Sequence, residues 1–136
     1  MISKNLITAF VSLGFLLTLY VIIISFGFYL TIFSVVLIPA IIMHVYAMIK
    51  AYKKYPKYNL WMILSALAFL SFSFCRPDAD QHGDFTGYSA LMYHLGGTDT
   101  EHAIPWTYAL EFSLLFLLAQ IFLDTYILRG FGKIPR

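Results

Sequence analysis

Residues 5–49 form one unbroken apolar stretch without a single Lys, Arg, Asp or Glu. A water-soluble domain of 136 residues has no core large enough to bury such a run, so the pattern reads as membrane-spanning helix. As one helix the run would extend roughly 67 Å, about twice the hydrocarbon core, so it has to turn back on itself. Ser25-Phe26-Gly27-Phe28-Tyr29 supplies the turn, because Gly27 frees the backbone and the aromatics suit an interface. The pattern therefore predicts helix 1 over about 4–26 and helix 2 over about 30–52, with a kink at Pro39.

Polar residues return as Lys50, Lys53, Lys54, Tyr55, Pro56 and Lys57, a basic connector. Helix 3 is expected over about 58–75, anchored by Trp61 and stopped by Arg76-Pro77. Helix 4 is expected over about 105–129, with Pro105 in its first turn and Trp106 and Tyr108 at the outer interface. Between them, residues 76–104 form a loop in which Tyr88, Leu91, Met92 and Leu95 recur at helical spacing. That spacing predicts a short amphipathic helix on the outer membrane surface, ended by Gly96-Gly97. Thr98-Asp99-Thr100-Glu101 then fits a capping box, so helix 4 is expected to begin early and bend at Pro105. The fold class predicted is all-α: a polytopic integral membrane four-helix bundle forming a single transmembrane domain over 1–136.

Composition agrees, since 12% charged residues is about half the soluble norm of about 25%. Charge adds an orientation. Of the nine Lys and Arg residues, all but Arg76 lie near the N-terminus, between 50 and 57, or from 129 onward. Of the seven acids, all but Glu111 and Asp124 lie within 78–101. The positive-inside rule then places both termini and the basic connector in the cytoplasm and the 76–104 loop outside a plasma or inner membrane. The first helix, which lacks a small-x-small cleavage site and outruns a signal-peptide core, is read as uncleaved. The net charge of +2 reports this bias, and with no basic patch interleaved with aromatics no nucleic-acid partner is expected. The lone Cys75 excludes an internal disulfide and Cys-x-x-Cys redox chemistry.

The sharpest chemical motif is Asp78-Ala79-Asp80-Gln81-His82-Gly83-Asp84-Phe85. Oxygen ligands at alternate positions, glycine at the sixth and an apolar residue at the eighth match the front half of a calcium loop. The back half departs from it, with Ser89 where a bidentate Glu belongs and His82 where Asp or Asn is usual. Asp78, Asp80, His82 and Asp84 are thus candidate ligands for a weakly held calcium, or for a transition metal with His94 or His102, against the plainer reading of turn chemistry. No cofactor is otherwise expected.

Four polar residues fall within the predicted spans: His44 on helix 2 and Glu111, Gln120 and Asp124 on helix 4. An ionisable group at such depth costs about 2.5–3.5 kcal/mol on insertion scales, so each should face protein or water. Counted inward from Lys50 and Arg129, His44 and Asp124 lie at matching depth and are expected to pair. Glu111 lies near the outer end, where Arg76 is expected to reach it. The 13 residues (124 − 111) between Glu111 and Asp124 amount to about 1,300° of rotation, leaving them roughly 140° apart and no continuous polar stripe. Ser, His and Asp are present without a Gly-x-Ser-x-Gly elbow, which gives a hydrolase no support.

No motif links the chain to a known family. The four-helix, both-ends-inside plan is also that of pore-former immunity proteins, but that is architecture alone. The expected function is a non-catalytic bundle in the lipid bilayer, acting on a membrane-protein partner as an accessory subunit or an inhibitor of immunity type. The alternative is a homo-oligomeric ion channel or transporter lined by Glu111 or Asp124. A third reading is an enzyme with an outward-facing metal site in the loop.

Overall fold

The computed structural model describes residues 3–25, 27–80, 83–96 and 106–130. They form five helices and one hairpin, in the order α1 (Lys4–Ile24), α2 (Phe28–Lys53), α3 (Asn59–Cys75), β1 (Pro77–Asp80), β2 (Gly83–Thr86), α4 (Gly87–His94) and α5 (Trp106–Arg129). By length and composition, Lys4–Ile24, Phe33–Lys53 and Tyr108–Arg129 are long and apolar enough to cross a membrane. The apolar α3, at 17 residues, is shorter than the roughly 20 that span a hydrocarbon core.

The helix limits fall within two residues of those read from the sequence, and the differences have local causes. Ser3 caps α1 by accepting from the Leu6 amide at 3.2 Å. The turn to α2 takes only 25–27, because the extended Gly27 serves as the N-cap and lets α2 start at Phe28. Gly27 has no side chain with which to satisfy the first amides of α2, a deficit that another part of the chain makes good.

α3 is the central element, packing against α1, α5, α2 and α4, while α5 packs against both α3 and α2. The backbones of the consecutive helices α1 and α2 approach less closely, and the two meet through side chains such as Phe15 and His44. Small residues are buried on both members of the α3–α5 pair, Ser65, Ala66, Ala68 and Ser73 on α3 and Ala109 and Ser113 on α5, and small side chains let helix backbones approach closely. Buried side chains form two apolar clusters. One, near the basic connector, joins Val11, Ala47, Ala51, Tyr58, Met62, Ala66 and Ile127. The other joins Ile22, Leu30, Leu37, Ala40, Phe69, Phe72 and Leu117.

The segment after α3 differs from the expectation of a plain loop with one helix. Residues 77–80 and 83–86 pair as an antiparallel hairpin in the register Pro77↔Thr86, Asp78↔Phe85, Ala79↔Asp84 and Asp80↔Gly83. The amphipathic helix is α4. It opens on a capping box, Thr86 accepting from the Ser89 amide and Ser89 Oγ from the Thr86 amide. It ends at Leu95 and Gly96, whose φ of +84° suits glycine. The capping box expected at Thr98–Glu101 and the bend at Pro105 lie outside the described residues.

α4 is seated by its first residue. A Cβ on Gly87 would lie 1.8 Å from the Ser73 carbonyl oxygen and 3.1 Å from Val21, so α4 meets α3 and α1 at a separation that only glycine allows. Gly87→Ala is therefore expected to destabilise the fold by about 2–3 kcal/mol through overpacking. Gly14→Ala, whose new Cβ meets nothing within 4 Å, should be neutral or stabilising by up to about 1 kcal/mol. Denaturant or thermal unfolding of the two variants in detergent gives the comparison, and equal effects would contradict this account of Gly87.

Candidate functional site

Between the two apolar clusters lies a polar layer centred on Asp124, which is fully buried on α5. Its carboxylate gathers donors from three helices. His44 Nδ1 on α2 donates to Oδ2 at 2.9 Å, Ser65 Oγ on α3 donates to Oδ1 at 2.5 Å, and Gln120 Nε2 donates from one turn earlier on α5. Ser65 Oγ also lies 3.3 Å from His44 Nδ1, and Gln120 Nε2 reaches the Ala40 carbonyl at 3.5 Å. The His44 ring is walled by Phe15 and Phe69, with centroids at 5.4 and 5.2 Å. With Nδ1–H given to the carboxylate, His44 Nε2 is left without a partner among the described residues, as is Gln120 Oε1.

His44 and Asp124, matched by depth in the sequence, thus stand in direct contact. Gln120, placed on helix 4 as a separate polar residue, belongs to the same cluster. Ser65 was not foreseen. The one signal for it is register, since it shares the buried stripe of α3 with Met62, Phe69 and Phe72.

The residue types are those of a nucleophilic triad, but the arrangement is not. A triad needs serine on one imidazole nitrogen and the carboxylate on the other. Here Ser65 and Asp124 meet the same nitrogen, and Ser65, His44 and Asp124 are all fully buried. What the layer can do is tie helices. An interhelical hydrogen bond in an apolar bundle is worth about 0.6 kcal/mol on average. Removing one partner from a buried charged pair costs about 3–5 kcal/mol, because the other is stranded. The second effect dominates, so the layer acts more through what its loss would leave unpaired than through what its bonds add.

A second cluster closes the other end of the helices. The buried Arg76, at the C-cap of α3, donates from Nη1 to Asp78 Oδ2 and from Nη2 to the Ser25 carbonyl at 2.8 Å and Ser25 Oγ at 2.6 Å. Asp78 Oδ2 also accepts from the Leu30 amide at 3.2 Å, in the first turn of α2. The carboxylate thereby supplies the cap that Gly27 lacks, while the guanidinium caps the end of α1. Burial pulls the Arg76 guanidinium below its ordinary value and Asp78 pulls it back up. Starting so far above neutrality, it stays charged.

One expectation is corrected here. Arg76 does not reach toward Glu111: Asp78, two residues away, takes it, and Glu111 is exposed on α5. The opposite exposure of Glu111 and Asp124 agrees with their angular separation. The candidate calcium ligands are Asp78, Asp80, His82 and Asp84. Asp78 is held by Arg76 and Leu30, and the backbone pairs Ala79 with Asp84 in the hairpin, while the side chains of Asp80 and Asp84 lie outside the described residues. His82 and His102 lie outside the described residues, and His94 is exposed on α4. Among the described residues no three His, Cys, Asp or Glu side chains come together as a metal site.

Compared with known proteins, the chain matches no family model, no characterised protein and no solved structure.

The cluster predicts non-additive energetics. Asp124→Asn and His44→Gln should each lower stability, and the double variant should fall short of their sum by about 1–2 kcal/mol, the range found for contacting residues. Ser65→Ala should cost about 1 kcal/mol and couple to Asp124→Asn alone or together with His44→Gln. Additive losses in unfolding measurements would contradict the shared network.

Proposed function

We propose that the chain is a small multi-pass membrane protein with α1, α2, α3 and α5 as its spans, both termini and the Lys50–Lys57 connector on the cytoplasmic face, and the hairpin with α4 on the outside. In this reading it is non-catalytic and works by association with another membrane protein, as an accessory subunit or an inhibitor of immunity type. The observation that supports the association reading best is how the buried polar groups are used. His44, Ser65, Gln120 and Asp124 bind one another, and Arg76 and Asp78 bind each other and the helix ends. Among the described residues only His44 Nε2, Gln120 Oε1 and Arg76 Nε of these groups are left without a partner. The outer surfaces, by contrast, are broadly apolar, with Leu6, Leu13, Leu16 and Ile23 on α1, Val35, Ile38 and Tyr46 on α2, and Leu115, Leu118 and Phe122 on α5 all exposed.

One observation favours the second reading, a homo-oligomer that conducts or transports. Glu111 is exposed among Tyr108, Phe112 and Leu115 on α5, and a carboxylate on an apolar face is more stable at a subunit interface or in water than in lipid.

Two measurements test these proposals. In a Cys75→Ala background, Asp80→Cys should label from outside intact cells and Lys54→Cys only after permeabilisation; labelling of both from outside ends the four-span reading. After extraction in mild detergent, a stoichiometric second protein is the expected outcome, and a symmetric assembly of this chain alone would favour the channel reading instead.

A further inference from the structure

The basic end of the molecule carries an open lateral groove between α1 and α2. It has a volume of about 540 Å³ and is lined by Asn5, Thr8 and Ala9 of α1 and by Met48, Ile49 and Tyr52 of α2. A separate cavity of about 30 Å³, the size of a single water, shares Thr8, Met48 and Tyr52 with it and is lined also by Lys4, Val11 and Ala51. The walls of the groove are chiefly hydrocarbon, and beside it Lys4, which lines the small cavity, holds Nζ 3.7 Å from the centroid of the Tyr52 ring that the two spaces share. No carboxylate pairs with Lys4 among the described residues. Lys53 and Lys54 lie exposed just past Tyr52 in the chain, so this end is basic, and no acid pairs with these lysines among the described residues.

We propose that this groove seats one acyl chain of an anionic phospholipid, with Lys4 against its phosphate. The inference rests on the membrane reading above. Size separates the lipid from a partner helix. Two turns of helix about 11 Å across occupy roughly 1,000 Å³, close to twice the groove, whereas a flexible hydrocarbon chain conforms to a narrow cleft. Charge separates anionic from zwitterionic lipid, because basic pockets between membrane helices on the cytoplasmic side favour anionic headgroups. The cation–π seat matters as well: the Tyr52 ring, which lines the groove, holds the ammonium beside it while leaving its three N–H donors for phosphate oxygens.

The test is native mass spectrometry of the full chain, extracted from membranes and equilibrated with equal amounts of phosphatidylcholine and phosphatidylglycerol. The wild type is expected to retain phosphatidylglycerol about fivefold over phosphatidylcholine, the ratio that one lysine near an anionic headgroup supplies. Lys4→Gln should bring the two lipids to equal retention. Ala9→Trp, which fills the groove from an exposed position, should abolish retention of both. Leu13→Trp, exposed but outside the lining residues, should behave as wild type; Ile49→Trp replaces Ala9→Trp if that variant fails to fold. Equal retention of the two lipids by the wild type, or unchanged retention in both groove-filling variants, overturns the proposal. So does a cross-link between Ala9→Cys and Ile49→Cys of separate copies, which would put a second chain in the groove. A parallel carbonate extraction keeps the two levels apart. If the protein leaves the membrane the spanning reading fails, and if it stays but retains no lipid the groove assignment alone fails.

Discussion

A carboxylate cannot leave water without taking donors with it, and the architecture is organised around two that did. Asp124 and Asp78 are fully buried, and an unpaired buried charge costs several kcal/mol even after relaxation. Each answers that cost with donors from other elements. Asp124 draws on α2 and α3 as well as its own helix, and Asp78 draws on the start of α2 and, through Arg76, the end of α1. All four long helices are thereby tied into two polar layers, one between the apolar clusters and one at the helix ends. The intervening clusters supply close packing, but apolar contacts are tolerant of sliding. The donor geometry at the carboxylates is what sets the axial register of the helices.

The ties at helix ends follow the sign of the backbone field. A helix terminus exposes unpaired carbonyls at its C-end and amides at its N-end, equivalent to partial charges of about half a unit. Arg76 meets the C-end of α1, Asp78 meets the N-end of α2, and Lys50 of α2 donates to the Leu128 carbonyl in the last turn of α5. In each case the cap comes from elsewhere in the chain. The junction of the consecutive helices α1 and α2 is thereby held by the Arg76–Asp78 clasp, and toward the other end of the pair a groove opens between them beside Tyr52.

Much of this was legible in the sequence because helices convert residue number into depth at a fixed rise. The gaps between charges located the helix ends to within two residues, and counting inward from Lys50 and Arg129 brought His44 and Asp124 together. Ser65 was not legible. Serine in an apolar helix ordinarily bonds its own preceding turn, as Ser34, Ser73 and Ser113 do here, and which serine reaches across is decided by packing. The hairpin was missed for a different reason. Oxygen-bearing residues at 78, 80 and 84 alternate as ion ligands would, but alternation is also the period of a strand. The Arg76–Glu111 contact failed on distance, since reach by a long side chain means little when a carboxylate two residues away is already in place.

The same constraint bears on where activity would reside. A polar group serves a passage only if some of its hydrogen-bonding capacity is left for what passes. In the Asp124 layer the unspent capacity is two buried polar atoms, His44 Nε2 and Gln120 Oε1, one beside aromatic rings and neither with a partner among the described residues. In the Asp78 layer the carboxylate is shared between a guanidinium and an amide. Interior chemistry in both layers is therefore largely consumed in holding the helices. What the described residues present outward is different in kind: apolar helix faces, a carboxylate at Glu111 and a basic groove between α1 and α2. Those surfaces have interactions left to make, and they are where a partner subunit or a lipid would act on this molecule.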